Sequence, residues 1–187
     1  MNDQVILERL EQGGALSYGH FVRRKNLHTD IQVHKYMGLH HPRATDDLCA
    51  ELLQRFEGES FHVVVVRAIV EDIILGYTCG RILGTSTVCV ANHEGLVSLI
   101  PPTGLTPGAR ALVVADVLSN KGYLQEIMAA IESRQGVVGG IALLIDEGIE
   151  ALSSTVRVES LLSLKEHNYP LNSCPMCFQG MPLSGGS

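Results

Sequence analysis

The sequence predicts an α/β domain with a central parallel sheet flanked by helices. Three observations carry this. From residue 61 onward, strand-like runs alternate with helical stretches. The strand-like runs are apolar throughout, as in parallel strands covered on both faces, not apolar at every second position. Residues 111–124, Ala-Leu-Val-Val-Ala-Asp-Val-Leu-Ser-Asn-Lys-Gly-Tyr-Leu, carry a buried strand into an acidic residue and a glycine-containing turn ahead of a helix. A strand, turn and helix in that order suit an anion, because a helix start offers unpaired N–H groups and glycine allows close approach.

The elements follow in order. Val5, Ile6, Leu7 and Leu10 recur at helical spacing, so residues 3–12 read as an amphipathic helix stopped by Gly13-Gly14. Residues 21–37 alternate polar and apolar side chains in places, which suggests a hairpin or irregular strand pair. Leu48, Leu52 and Leu53 give residues 45–56 one apolar face, with Thr45 as N-cap. Strands are expected over 61–67, 85–91, 110–116 and 137–146, and helices over 73–83 and 123–134. The stretch 95–108, with Pro101, Pro102, Thr103 and Pro107, reads as one long loop. His40-His41 before Pro42 reads as a turn, and the segment after Tyr169 reads as irregular.

A length of 187 residues with 45% apolar residues suits one domain, spanning 1–187. The net charge of −6 offers no general attraction to nucleic acid, whose phosphates are held by Lys and Arg. No signal-peptide pattern opens the chain, and no apolar run approaches the roughly 18 residues of a membrane span. A cytoplasmic protein that engages neither membrane nor polynucleotide is expected. The five cysteines are an odd number, and Cys49, Cys79 and Cys89 sit in apolar or helical context, which fits reduced core thiols.

Residues 111–124 resemble the phosphoribosyl-diphosphate signature of type I phosphoribosyltransferases: apolar residues, two acidic residues, two apolar residues, then Thr-Thr-Gly-Gly. Asp116, Ser119 and Gly122 fit, while Ala115 replaces an acid and Asn120, Lys121 and Tyr123 depart from the usual residues. Other segments resemble the orotate phosphoribosyltransferase branch. Gly19-His20-Phe21 and Leu27-His28-Thr29-Asp30 are similar to its N-terminal segment, and Lys35 matches a basic position there. Residues 73–84 look like the helix after its pyrophosphate loop. The ending Cys174-Pro175-Met176-Cys177-Phe178-Gln179-Gly180-Met181-Pro182-Leu183 is similar to the close of many bacterial members.

The resemblance implies the type I phosphoribosyltransferase fold, with residues 1–42 forming a small hood, residues 170–187 an irregular tail, and usually a homodimer. It implies transfer of a phosphoribosyl group from phosphoribosyl diphosphate to orotate, with magnesium present. Asp116, Ser119, Asn120, Lys121 and Gly122 would hold the ribose and 5′-phosphate, and Lys35 would contact the base or pyrophosphate.

Three places that should handle phosphate are altered. Where the family's pyrophosphate loop reads Gly-Pro-Ala-x-Gly-Gly, this chain has Arg67-Ala68-Ile69-Val70-Glu71-Asp72. Side-chain bulk and negative charge replace two glycines at an anion's seat. Two like charges about 4 Å apart repel by roughly 4 kcal/mol at an effective dielectric near 20. Magnesium bridging Glu71 and Asp72 would reverse that sign, and the simpler reading is that the two acids suit the first turn of a helix through its dipole. The second place is the family's mobile loop: residues 91–109 carry no Lys or Arg, leaving His93 as the candidate cation. The third is the signature turn, where Asp116 and Ser119 or Asn120 serve equally as binding groups or as caps of a strand-to-helix turn.

Cys174 and Cys177 have metal-ligand spacing, with His167 upstream. A structural zinc site takes four ligands, and one Cys-x-x-Cys supplies two, so a packing role for the tail is the simpler expectation. The whole predicts an orotate phosphoribosyltransferase relative with weakened or lost transfer activity. It would keep a nucleotide or phosphate pocket and act as a binding or regulatory subunit, as a homodimer or paired with a related subunit. The alternative is a working magnesium-dependent transferase in which Glu71 and Asp72 hold the metal and Lys121 replaces the lost loop cations.

Overall fold

A computed structural model describes residues 3–34, 39–101, 105–117, 121–146, 156–164 and 167–184. Its centre is a six-stranded sheet built from β3 (Val63–Arg67), β4 (Ser86–His93), β5 (Leu96–Leu99), β6 (Arg110–Val117), β7 (Val137–Asp146) and β8 (Val158–Ser163). The order is β5-β4-β3-β6-β7-β8, parallel except for the β4–β5 hairpin. Side chains alternate across a strand, so the apolar runs feed two cores. Val64, Val66, Leu112 and Val114 face a cluster containing Leu48, Leu52, Leu75 and Cys79 from α2 (Pro42–Gln54) and α3 (Val70–Leu83). Ile6 and Leu10 of α1 (Asp3–Gln12) join that side. Val63, Val65, Val113 and Ala115 face Leu124, Ile127 and Ile131 of α4 (Lys121–Glu132). Covering both faces is what makes strands without polar alternation stable here.

The approach of α3 to the sheet depends on a small residue. A Cβ on Gly76 would overlap Val66 Cγ1, so only glycine lets the helix seat this closely on β3. From β3 the chain passes through α3 to β4 on one side and later returns to β6 on the other. The carboxyl ends of β3 and β6 therefore diverge, and such a switch point is where open α/β sheets bind ligands.

A second, antiparallel sheet of order β1-β2-β9 is made by the hairpin β1 (Leu16–Arg24) and β2 (Leu27–Val33) with β9 (Asn168–Pro170) of the tail. The expected strand pair is present, five residues earlier in its start. The tail is more ordered than its composition suggested. After β9, a 3-10 turn (Leu171–Ser173) leads into a single helical turn, α5 (Pro175–Phe178).

Three further differences have physical reasons. The supposed long loop contains β5, which pairs with β4 through a tight turn at Glu94 (φ 52°) and Gly95 (φ 88°). Positive φ at two successive residues is the signature of a hairpin turn whose twist matches its strands. Thr45 is not the N-cap of α2. Pro42 needs no N–H partner and starts the helix three residues sooner, while the Thr45 hydroxyl donates to the Leu39 carbonyl at 3.1 Å. Likewise α3 begins at Val70, with Glu71 and Asp72 in its first turn. β8, pairing parallel with β7, was not foreseen. Among the described residues no helix is long and apolar enough to cross a membrane.

Candidate active-site cleft

Arg67 ends β3, Asp116 lies near the end of β6, and Asp72 sits in the first turn of α3. Two short steps bring them together. Ala68 N–H donates to the Val90 carbonyl at 2.8 Å, holding the chain to the sheet as it leaves β3. Ile69 is extended (φ −121°, ψ 154°), and α3 then turns back over the strand ends. Asp72 is thereby aimed at the switch point, its side chain fully buried, with Asp116 1% and Arg67 15% exposed.

The three side chains form one network. Arg67 Nε donates to Asp72 Oδ2, and Nη2 donates to Asp72 Oδ1 at 3.0 Å and to Asp116 Oδ1 at 2.6 Å. Nη2 also lies 3.3 Å from the Val117 carbonyl, and the Asp116 backbone N–H donates to Asp72 Oδ1 at 2.8 Å. The planar guanidinium suits such multidentate pairing with carboxylates. Burial pushes the Asp72 carboxyl from its ordinary 3.8 up to about 6, against the pull of Arg67 and aided by the nearby Asp116 charge. Burial alone would lower the Arg67 value, but the bonds and charges of the two aspartates outweigh it and raise it. The guanidinium therefore stays charged at the mouth of the cleft.

The other sequence-derived candidates are placed as follows. Glu71 is half-buried on the first turn of α3 and stands apart from the Arg67 network. Lys121 opens α4, and its side chain lies outside the described part. Gly122 lies in the first turn of α4 and not in a preceding loop. Ser119, Asn120 and Lys35 lie outside the described residues. His93 closes β4 in the hairpin. Cys174 caps the start of α5 and Cys177 lies within it, while His167, seven residues upstream of Cys174, pairs instead with Asp30 at 2.8 Å. His20 and His28, which sequence reasoning passed over as ligands, are buried on the β1–β2 hairpin. What the sequence did not reveal is that Arg67 reaches both aspartates; its one signal was a charged residue closing a run of four valines.

Comparison with known proteins decides the lineage. The chain is 32% identical over 182 residues to the orotate phosphoribosyltransferase of Desulforamulus reducens, covering 97% of this chain and 95% of that one. The chain belongs to the orotate phosphoribosyltransferase family. The relative from Thermus thermophilus is 30% identical over 180 residues, covering 95% and 97%. Among solved structures, the orotate phosphoribosyltransferase of Aeropyrum pernix superposes with a TM-score of 0.72 at 20% identity, over 89% of this chain and 95% of that one. The adenine phosphoribosyltransferase of Rhodothermus marinus gives 0.68 at 22% identity, over 86% and 99%. These two establish the type I phosphoribosyltransferase fold. No family model matches the chain.

Magnesium, which membership in the orotate phosphoribosyltransferase family implies, needs oxygen donors free to turn toward it. Asp72 and Asp116, the carboxylates at the strand ends, both face the Arg67 guanidinium. Among the described residues, these two carboxylates are committed to a cation of the protein's own and do not fit the metal in this arrangement.

Proposed function

We propose that this orotate phosphoribosyltransferase relative has lost its transfer reaction and works as a binding or regulatory subunit. It keeps an anion pocket for a phosphate or nucleotide at the turn between Asp116 and Gly122, and pairs with itself or with a related, active chain. The observation that supports this reading is the Arg67–Asp72–Asp116 network. An arginine side chain occupies the switch point between β3 and β6, and the two carboxylates nearest it are bound to that arginine. A diphosphate entering there would meet Asp72, and a ribose hydroxyl would compete with a charge-assisted bond for Asp116. The loop that supplies cations in active relatives, residues 91–109, has none, and residues 96–99 of it are fixed as a strand. Preorganised cations are a large part of how such leaving groups are stabilised.

A second reading has its own support. The relatives at 30–32% identity across nearly the whole chain carry the name of the active enzyme. Under it, Arg67 would release both aspartates when phosphoribosyl diphosphate and magnesium arrive, and Lys121 would supply the missing loop charge. A turnover assay with orotate, phosphoribosyl diphosphate and magnesium separates the two. The proposed reading predicts no consumption of orotate above the buffer rate, and formation of orotidine monophosphate at an ordinary enzymatic pace would establish the second.

A further inference from the structure

We infer that His20, His28, Cys174 and Cys177 form a structural zinc site that fastens the tail of the chain to its N-terminal hairpin. Their four ligand atoms lie within 4.8 Å of one another, although the histidines and cysteines are separated by about 150 residues of chain. His20 stands on β1 and His28 on β2, with imidazole rings edge to face at 4.7 Å between centroids. Cys174 precedes α5 and Cys177 lies within it. Phe178 N–H donates to the Cys174 carbonyl at 3.2 Å, closing the turn that brings both sulfurs to one side.

The spacing fits a metal better than it fits a hydrogen-bonded cluster. Tetrahedral zinc with bonds of about 2.05 Å to nitrogen and 2.3 Å to sulfur places a nitrogen and a sulfur roughly 3.5 Å apart. Here Cys177 Sγ is 3.5 Å from His20 Nε2 and 3.3 Å from His28 Nδ1, and Cys174 Sγ is 3.7 Å from His20 Nε2. His20 Nε2 and His28 Nδ1 are 2.7 Å apart, inside the roughly 3.3 Å of a tetrahedral nitrogen pair, so the imidazoles separate slightly around an ion. The outer contact is of the kind metal-binding histidines use. His20 Nδ1 lies 2.8 Å from the Met181 carbonyl, which can only accept, so Nδ1 carries the proton and Nε2 turns a lone pair toward the cysteines. His20 is 2% exposed and His28 6%, and Cys174 is buried, so two basic nitrogens and one soft sulfur converge away from water, with the partly exposed Cys177 completing the set. Two nitrogens and two sulfurs in tetrahedral reach select zinc among common divalent ions. With four protein ligands and no open position, the role is structural.

The neighbouring contacts show what the site holds. Ser184 N–H donates to the His20 carbonyl at 2.7 Å, and His20 N–H donates to Ser184 Oγ at 3.1 Å. A Cβ on Gly19 would overlap Ser184 Oγ, so glycine permits the tail to lie against β1. Zinc binding releases the two thiol protons to solvent and leaves both imidazoles neutral.

The test uses the full chain, purified under reducing conditions and dialysed free of metal. Titration with zinc alone, followed by elemental analysis after gel filtration, should give one zinc per chain. Cobalt in its place should give the intense visible bands of a tetrahedral ion with thiolate charge transfer. Cys177→Ser and His28→Ala, checked for folding by circular dichroism, should each weaken zinc binding by about 100-fold or more. Cys89→Ser, outside the cluster, should bind as the parent does. The inference is overturned if the reduced parent binds no zinc, if cobalt shows an octahedral spectrum without thiolate bands, if Cys177→Ser keeps its metal, or if freshly isolated protein holds a Cys174–Cys177 disulfide. The parent's zinc stoichiometry and cobalt spectrum require no variant to fold, and none of these readouts depends on transferase activity.

Discussion

The cleft between β3 and β6 and the cluster beneath the tail, buried save for the partly exposed Cys177, are both polar and assembled from distant parts of the chain, yet their charge balance is opposite. In the cleft a cation is already present: Arg67 answers Asp72 and Asp116, and the set is closed on itself. Under the tail, two imidazoles and two thiols converge with lone pairs and no cation among them. The first arrangement leaves a ligand little to bind, whereas the second is incomplete without one. Buried polar groups demand partners in either case, and the difference lies in whether the chain supplies the partner.

The largest expected effect comes from breaking the closed set. Arg67→Met leaves two buried carboxylates without their cation and should destabilise the protein by about 3–5 kcal/mol at pH 8 in urea denaturation. A change below about 1 kcal/mol would mean that the network is not what holds the strand ends together. The Asp72 carboxyl offers a pH test of the same set. Its folded value of about 6 exceeds the ordinary 3.8, so the folded state binds more protons than the unfolded between those limits, and stability falls as pH rises through them. Relative to Asp72→Asn, the parent should lose on the order of 2 kcal/mol between pH 4 and 6 and change little above 7, read from urea midpoints. A flat difference would place Asp72 in water. In the open set, adding zinc at about 100 times its dissociation constant should raise stability by about 2.7 kcal/mol, and chelation should reverse it. No shift on chelation would make the tail cluster self-sufficient, like the cleft. Opening the cleft gives the smallest effect: Arg67→Gly with Asp72→Gly should improve calorimetric binding of phosphoribosyl diphosphate about tenfold, near 1.4 kcal/mol.

The scaffold was legible where the pattern was unambiguous. The run 137–146 is a strand over those same residues, and the valines of 63–66 and the apolar stretch of 111–117 are buried as expected. Asp116 lies at a strand end because apolar residues on both sides fix where β6 stops being covered. β5 was hidden because Gly95 and the following prolines read as loop punctuation, although Leu96-Val97-Ser98-Leu99 is short enough to add to a sheet edge. β8, Val-Glu-Ser-Leu-Leu-Ser, is an edge strand with a weak period, and its pairing depends on β7 being next to it. The sites were less legible for a reason of distance. Loss of glycine at 71 and 72 was visible, but the reach of Arg67 across 49 residues to Asp116 was not. Cys174 and Cys177 announced themselves by spacing, whereas His20 and His28 become their partners only because β9 draws the tail against the hairpin.

Closure of the cleft by Arg67 is tested most directly by titrating phosphoribosyl diphosphate, with magnesium in excess, into the unaltered protein in a calorimeter. The structure predicts no saturable heat at micromolar concentrations. Saturable, magnesium-dependent binding in the micromolar range, lost when Asp72 is replaced by Gly, would show that the aspartates serve a substrate and that the network opens in use.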